Sequence, residues 1–123
     1  MNVSNPVPSA IKTDSGAVIH TKVIDIPPWD LTSAVSVEVP ITGIALKDII
    51  AINGHIIDDN LSEWIVVPGN SMTLAAGNRD FTITYNTANP NSIFVVISAV
   101  TVLSNWNDTS INRGILTITY IPT

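Results

Sequence analysis

The residues best suited to acid–base chemistry are carboxylates that lie close together in the sequence. Asp58 and Asp59 are adjacent, and Glu63 follows in the same segment. Two carboxylates held about 5–9 Å apart can act as the acid and as the nucleophile or base of a glycoside hydrolase. Adjacent aspartates followed by Asn60 more often form a turn, because short polar side chains hydrogen-bond to the nearby backbone. The alternating spacing of a calcium-binding EF-hand loop is absent, so the pattern favours a turn over a catalytic or calcium site.

Other reactive side chains are scarce in this sequence. The chain contains no cysteine, which excludes disulfides, zinc–thiolate sites and thiol catalysis. Its two histidines, His20 and His55, are far apart and fall in no ligand-spaced motif. The G-x-S-x-G motif of serine hydrolases is also missing. We therefore predict no catalytic residue, no metal and no cofactor, and we expect that the protein is not an enzyme.

The three tryptophans are the residues most suited to binding, because an indole offers a large contact area for partners and sugars. Trp64 lies in an apolar run and is predicted to be part of the core. Trp29 and Trp106 lie beside turn-forming residues, so either is a candidate contact for a partner or a glycan. The alternative for both is packing over a sheet edge, which we favour because large aromatic side chains are usually well buried.

The elements that position these residues are β-strands. Val, Ile and Thr recur in short alternating runs, and breakers separate the runs at intervals of about 8–12 residues. No segment has the periodicity of an amphipathic helix. This pattern predicts an all-β fold, an antiparallel β-sandwich of jelly-roll type with about eight strands. Strands are predicted at 17–26, 35–39, 49–57, 63–67, 71–75, 80–85, 92–104 and 116–120.

One local signal conflicts with this strand assignment. Asn53-Gly54 ordinarily marks a two-residue hairpin turn, but a turn there leaves a very short second strand. The alternative places Gly54 inside a strand, as a bulge or close-packing point, and puts the turn at Asp58-Asp59-Asn60. We favour the second arrangement.

The chain length predicts one domain with a preceding arm. Residues 1–16 contain Pro6 and Pro8 and predict an extended N-terminal arm, whereas residues 17–123 predict a single β-sandwich domain. The segment 92–104 is apolar on both faces. We expect it to be covered by the core on one side and by a neighbouring subunit on the other.

The composition also points to a covered surface. Charged residues make up 12% of the 123 residues, hydrophobic residues 46%, and the formal net charge is -5. Because so little charge is available to solvate the surface, we expect an oligomer or an assembly subunit. The basic residues form no stripe, which argues against nucleic-acid binding. Long apolar runs and a signal-peptide pattern are missing, so we expect no membrane insertion and synthesis in the cytoplasm.

Several motifs together resemble a small β domain of structural proteins of tailed bacteriophages and prophages, of the tail-fibre or virion type. The resemblance spans residues 23 to 120, and its most specific part is Asn112-Arg113-Gly114 before the last strand. This chain departs from the family pattern in its Pro28-Trp29-Asp30 order, in Ile115 where an aromatic is common, and in Asn53-Gly54. The motifs that carry the resemblance are Pro28-Trp29-Asp30, residues 33–37, residues 49–52 leading to 56–59, and residues 109–120.

The resemblance implies a bacteriophage virion structural protein, a self-associating subunit of a fibre, appendage or capsid decoration with a role in host attachment. It is expected in the virion after synthesis in the host cytoplasm. Its partners would be copies of itself in a homotrimer, other virion proteins and a host-surface glycan. Arg113 would anchor the loop before the last strand by binding backbone carbonyls or a carboxylate such as Asp108. The alternative function is a glycan-binding or adhesion module that uses an exposed tryptophan, Trp29 or Trp106.

Overall fold

The computed structural model describes residues 11–71, 79–107 and 113–123. These residues form eight strands in two four-stranded antiparallel sheets, as predicted for a β-sandwich. The first sheet has the order β1-β8-β3-β4 and the second has the order β2-β7-β6-β5. The strands are β1 His20–Ile26, β2 Ser36–Pro40, β3 Ile49–Ile57, β4 Trp64–Val67, β5 Gly69–Ser71, β6 Arg79–Tyr85, β7 Ser92–Ile97 and β8 Gly114–Tyr120. Two single-turn 3-10 helices lie at Leu46–Asp48 and Ser104–Trp106.

The topology follows a jelly roll in its centre and departs from it at one hairpin. The last strand β8 lies between β1 and β3, and β7 lies between β2 and β6, so strands distant in sequence are neighbours, as in a Greek key. β4 stays beside β3 as a hairpin in the first sheet. The chain then crosses to the second sheet through the cis Val67-Pro68 bond and continues through β5, β6 and β7.

The core lies between the sheets and is built by period-two alternation. In β8, Leu116 and Ile118 are buried while Thr117 and Thr119 are partly exposed on the other face. Ile93, Val95 and Ile97 of β7 face the core from the opposite sheet. Burying each such side chain contributes about 1.5–3 kcal/mol to the hydrophobic term, and these residues fix which face of each strand is outward.

Gly54 lies inside β3, which confirms its predicted placement in a strand. It is paired with Leu116 of β8, and a Cβ atom at Gly54 would lie 2.0 Å from the carbonyl oxygen of Ile115. Gly114 is equally close to β3, since a Cβ there would lie 1.8 Å from the carbonyl oxygen of His55. Only glycine permits this approach of two backbones. The turn falls after Ile57, as predicted.

The structure differs from the predicted elements at three places. Residues 11–19 form a small hairpin, in which Lys12 is bridged to Val18 and the Thr13 amide donates to the Ala17 carbonyl at 2.9 Å. The part of the predicted arm from residue 11 to 16 is therefore folded back, because Gly16 takes φ +92° and permits a tight turn; residues 1–10 lie outside the described part. β7 ends at Ile97, and the chain from 98 onward leaves the sheet. The predicted strand 71–75 overlaps β5 only at Ser71, and its remainder lies outside the described residues.

Candidate functional site

The structure buries the two tryptophans for which packing was favoured and exposes the one that was predicted to be core. Trp29 is 3% exposed and Trp106 is fully buried, whereas Trp64, predicted to be core, is 72% exposed. The cause is the alternation of side chains between the two faces of a strand. In β4, Ile65 and Val67 face the core and Trp64 and Val66 face outward. The four residues of β4 are all apolar, so no polar–apolar alternation in the sequence predicts which of them face the core.

Trp29 and Trp106 are held inside the end of the sandwich. The indole nitrogen of Trp29 donates to the Ala34 carbonyl at 3.0 Å, and the Trp106 carbonyl accepts from the Leu31 amide at 3.1 Å. Neither ring can stack on a glycan or a partner from these positions, so Trp29 and Trp106 are packed, as the favoured alternative predicts, and do not act as the candidate contacts.

Asp30 closes the corner that contains Trp29. Its carboxylate accepts hydrogen bonds from the Thr32 amide at 2.9 Å and from the Ser33 hydroxyl at 2.9 Å. The Thr32 hydroxyl also donates to Asp30 and is the largest cause that lowers the pKa of this carboxyl below its ordinary value. The Arg113 charge acts in the same direction.

Asp58 organises the turn between β3 and β4 from inside the protein. Its buried carboxylate accepts from the Ser62 amide at 2.6 Å, the Ser62 hydroxyl at 2.8 Å, the Glu63 amide at 2.9 Å and the Asn105 side-chain amide at 2.7 Å. Burial alone would raise the pKa of Asp58, but these hydrogen bonds outweigh it and hold the pKa below its ordinary value. The turn is thereby fixed by an ionised side chain.

Asp59 binds the predicted anchor residue Arg113. The Arg113 Nη2 atom lies 3.0 Å from each carboxylate oxygen of Asp59, and the Arg113 side chain is 1% exposed. The Asp59 amide donates to the Asn105 carbonyl at 2.7 Å, and the Ile57 amide donates to the Arg113 carbonyl. The structure thus brings Arg113 to a carboxylate of the β3–β4 turn. The other predicted anchor residue, Asp108, lies outside the described residues.

On the outer side of the same turn lies an exposed apolar site, here called the Trp64 corner. It consists of Ile57, Leu61, Ser62, Glu63 and Trp64, which line an open pocket of about 270 Å³. The Leu61 side chain is exposed, and its backbone has φ +57°, a left-handed conformation that non-glycine residues rarely adopt.

The oxygen atoms of the Trp64 corner are hydrogen-bond acceptors, and the exposed indole N–H of Trp64 is a donor. The Ser62 hydroxyl already donates its proton to Asp58, so its lone pairs remain available. The carboxylate of Glu63 is exposed and has no hydrogen-bond partner among the described residues. Asp58 and Asp59 point into the protein and are engaged by other groups. Of the three carboxylates, only that of Glu63 is exposed and free to contact a ligand.

The outer face of the first sheet continues from the Trp64 corner and carries few charges. His55 lies against Trp64, with ring centroids 5.6 Å apart in an edge-on arrangement. Val66 and Val23 are exposed apolar residues on this face, and Asp25 is its one carboxylate within the strands. From the register and burial pattern, the outward residues are Thr21, Val23, Asp25, Ala51, Asn53, His55, Ile57, Trp64, Val66, Ile115, Thr117 and Thr119.

Comparison of the chain with protein-family models, with curated proteins and with solved structures finds no match. Within the described ranges, no helix has the length and apolar character needed to cross a membrane. In the same ranges, no three His, Asp or Glu side chains are grouped so that they could hold a metal ion. The resemblance to phage structural proteins stays a prediction from motifs.

Proposed function

We propose that this chain is a structural protein of a bacteriophage particle, a self-associating subunit of a fibre, appendage or capsid decoration. The observation that carries the proposal is the charge-poor outer face of the first sheet, with Trp64 exposed at its corner. Exposed apolar patches rimmed by polar residues usually mark contacts with other macromolecules. Tryptophan is also among the residues most enriched at the energetic centres of protein interfaces.

The turn that supports the Trp64 corner is well suited to such a contact. Asp58 holds the turn through four hydrogen bonds, and the Asp59–Arg113 pair ties it to the start of β8. A contact residue whose support is rigid loses little conformational entropy on binding. The motifs 56–59 and 112–114, which carry the resemblance to phage proteins, include the residues that build this support.

The oligomeric state tests the self-association half of the proposal. Size-exclusion chromatography with light scattering of the purified chain should show a stable oligomer, which we expect to be a homotrimer. A chain that stays monomeric up to the highest soluble concentration would overturn self-association.

The virion half of the proposal needs a separate experiment. Particles induced from a strain that carries the gene should contain peptides of this chain at a constant ratio to the capsid protein, measured by mass spectrometry. Peptides found only in the soluble fraction, and absent from banded particles, would overturn the assignment to the virion.

A second candidate function is a glycan-binding module, and the exposed ring of Trp64 beside Glu63 is the observation that favours it. A glycan array probed with the purified chain should then give a signal that Trp64→Ala abolishes and Val66→Ala retains. A chain that binds no glycan on the array removes this candidate.

A further inference from the structure

We infer that the Trp64 corner binds Lys12 in the N-terminal hairpin (residues 11–19) of a second copy of the chain, so that copies join head to tail. The inference rests on the proposed self-association and names the two surfaces that would make it.

The chemistry of the Trp64 corner favours a cation on an aliphatic stem. Trp64 presents the aromatic ring with the strongest attraction for cations. Ile57 and Leu61 supply apolar surface for a methylene chain. The Glu63 carboxylate and the Ser62 oxygen accept hydrogen bonds and suit an ammonium group, while the Trp64 indole N–H is a donor at the edge of the ring. A lysine side chain satisfies all three features.

Lys12 is the lysine whose surroundings leave it available. Lys22 donates to the Thr42 carbonyl at 2.8 Å, and Lys47 donates to the Thr123 hydroxyl at 2.9 Å. Lys12 is exposed and has no hydrogen-bond or ion-pair partner among the described residues. The exposed side chains of Ile11 and Val18 lie on the same hairpin. Asp14 lies in the turn of the same hairpin, whereas Lys12 lies on its bridged arm beside these apolar side chains. Lys12 thus offers a cation with apolar neighbours, which complements the carboxylate with apolar neighbours at the Trp64 corner.

The two surfaces lie at diagonally opposite corners of the first sheet. The hairpin leads into β1, an edge strand that begins at His20 opposite Tyr120, the last residue of β8. Trp64 begins the other edge strand and pairs with Ile57, next to the start of β8. The length of β8 separates these corners by about 20 Å at roughly 3.4 Å per residue, so one copy cannot satisfy its own contact through this sheet.

A contact between two different surfaces is heterologous. It closes into a ring when the rotation between copies allows, and it otherwise extends into a fibre. A ring of three such contacts is the proposed homotrimer, and an open series of them is a filament. Both outcomes follow from one pairing of the hairpin with the corner.

Charge reversal tests the pairing directly. Sedimentation velocity over a concentration series should show that Lys12→Glu and Glu63→Lys each weaken association by about tenfold or more, because each places like charges together. The double variant Lys12→Glu/Glu63→Lys should restore association to within a few-fold of the parent chain. Lys47→Glu and Glu38→Lys make the same changes in net charge away from the outer face of the first sheet and should leave association unchanged.

The outcomes separate this inference from the proposed function. If the parent chain associates and the charge-reversed variants associate equally well, self-association stands and the Lys12 contact is wrong. Failure of the double variant to recover, with circular dichroism and unfolding midpoints unchanged, also overturns the pairing. A parent chain that never associates overturns the inference together with the proposed self-association.

Discussion

At the turn between β3 and β4 the usual distribution of residues is inverted, with charged groups buried on the inner side and large apolar side chains exposed on the outer side. On the inner side, charged and amide groups are buried, with Asp58, Asp59 and Arg113 in hydrogen bonds or an ion pair. On the outer side, Leu61 and Trp64 are exposed to solvent. The inner groups bind the backbone of the turn and fix the direction of the outer side chains. Removing an inner residue should therefore change folding stability, whereas removing an outer residue should change binding.

The largest effect is expected from Arg113→Ala on the inner side. The substitution leaves the Asp59 carboxylate buried without its partner, which should lower the free energy of unfolding by about 3–5 kcal/mol. Urea denaturation followed by tryptophan fluorescence measures the loss. Lys47→Ala, at an exposed lysine, serves as the control, and a loss below about 1 kcal/mol for Arg113→Ala would show that the ion pair is not needed to hold the turn.

Asp58→Asn should have the next largest effect. The amide can keep its oxygen at the Oδ1 position, to which the Ser62 and Glu63 amides donate, but its NH2 group then takes the Oδ2 position against the Asn105 side-chain amide, which is itself a donor. Unsatisfied buried groups should lower the free energy of unfolding by about 1–3 kcal/mol. The same measurement applies, with Asp25→Asn on the exposed face as the matched control. Equal stability of both variants would mean that the hydrogen bonds of Asp58 add nothing beyond its shape.

The pH dependence of stability should report on two hydrogen-bonded carboxylates, Asp58 in this turn and Asp30 in the corner that contains Trp29. The folded-state pKa values of Asp58 and Asp30 are lowered below 3.8, so these groups stabilise the fold above their unfolded pKa. That stability is lost as the pH falls through the folded-state values. Acid titration of the unfolding midpoint should show this loss below about pH 4, and Asp58→Asn should make the curve shallower. A curve that Asp58→Asn leaves unchanged would contradict the assignment of the loss to Asp58.

The smallest effect on stability is expected from Trp64→Ala on the outer side. Because the side chain is mainly exposed, the free energy of unfolding should change by no more than about 0.5 kcal/mol. Trp106→Ala is the contrasting variant, since loss of a buried indole should lower it by about 3–5 kcal/mol. Thermal or urea unfolding of the two variants compares them. Similar losses in both would show that Trp64 is packed and is not a free contact residue.

The fold was predictable from the sequence wherever polar and apolar residues alternate. The strand of Phe81, Ile83 and Tyr85 is readable because threonines separate the apolar positions. The Asp58-Asp59-Asn60 turn and the strand position of Gly54 were also predictable, since both depend on local backbone chemistry.

The candidate site was much less predictable, because it depends on contacts between distant segments. Arg113 meets Asp59 only when β8 lies beside β3, and nothing local in the sequence identifies that partner. The exposure of Trp64 was not predictable, because the all-apolar β4 has no polar residue to mark its outer face. The positive φ of Leu61 beside the buried Asp58 is a signal that only the folded turn provides.

The length of the β3–β4 turn limits how this protein can change by insertion and deletion. Surface loops usually tolerate such changes, but side chains of a strand alternate between two faces. One residue added between Asp59 and Trp64 would move Trp64 and Val66 into the core and expose Ile65 and Val67, unless the turn absorbed it. Two added residues would keep the faces but separate Asp58 from the Ser62 and Glu63 amides. We therefore expect natural variants of this protein to keep the length of this turn fixed while other loops vary.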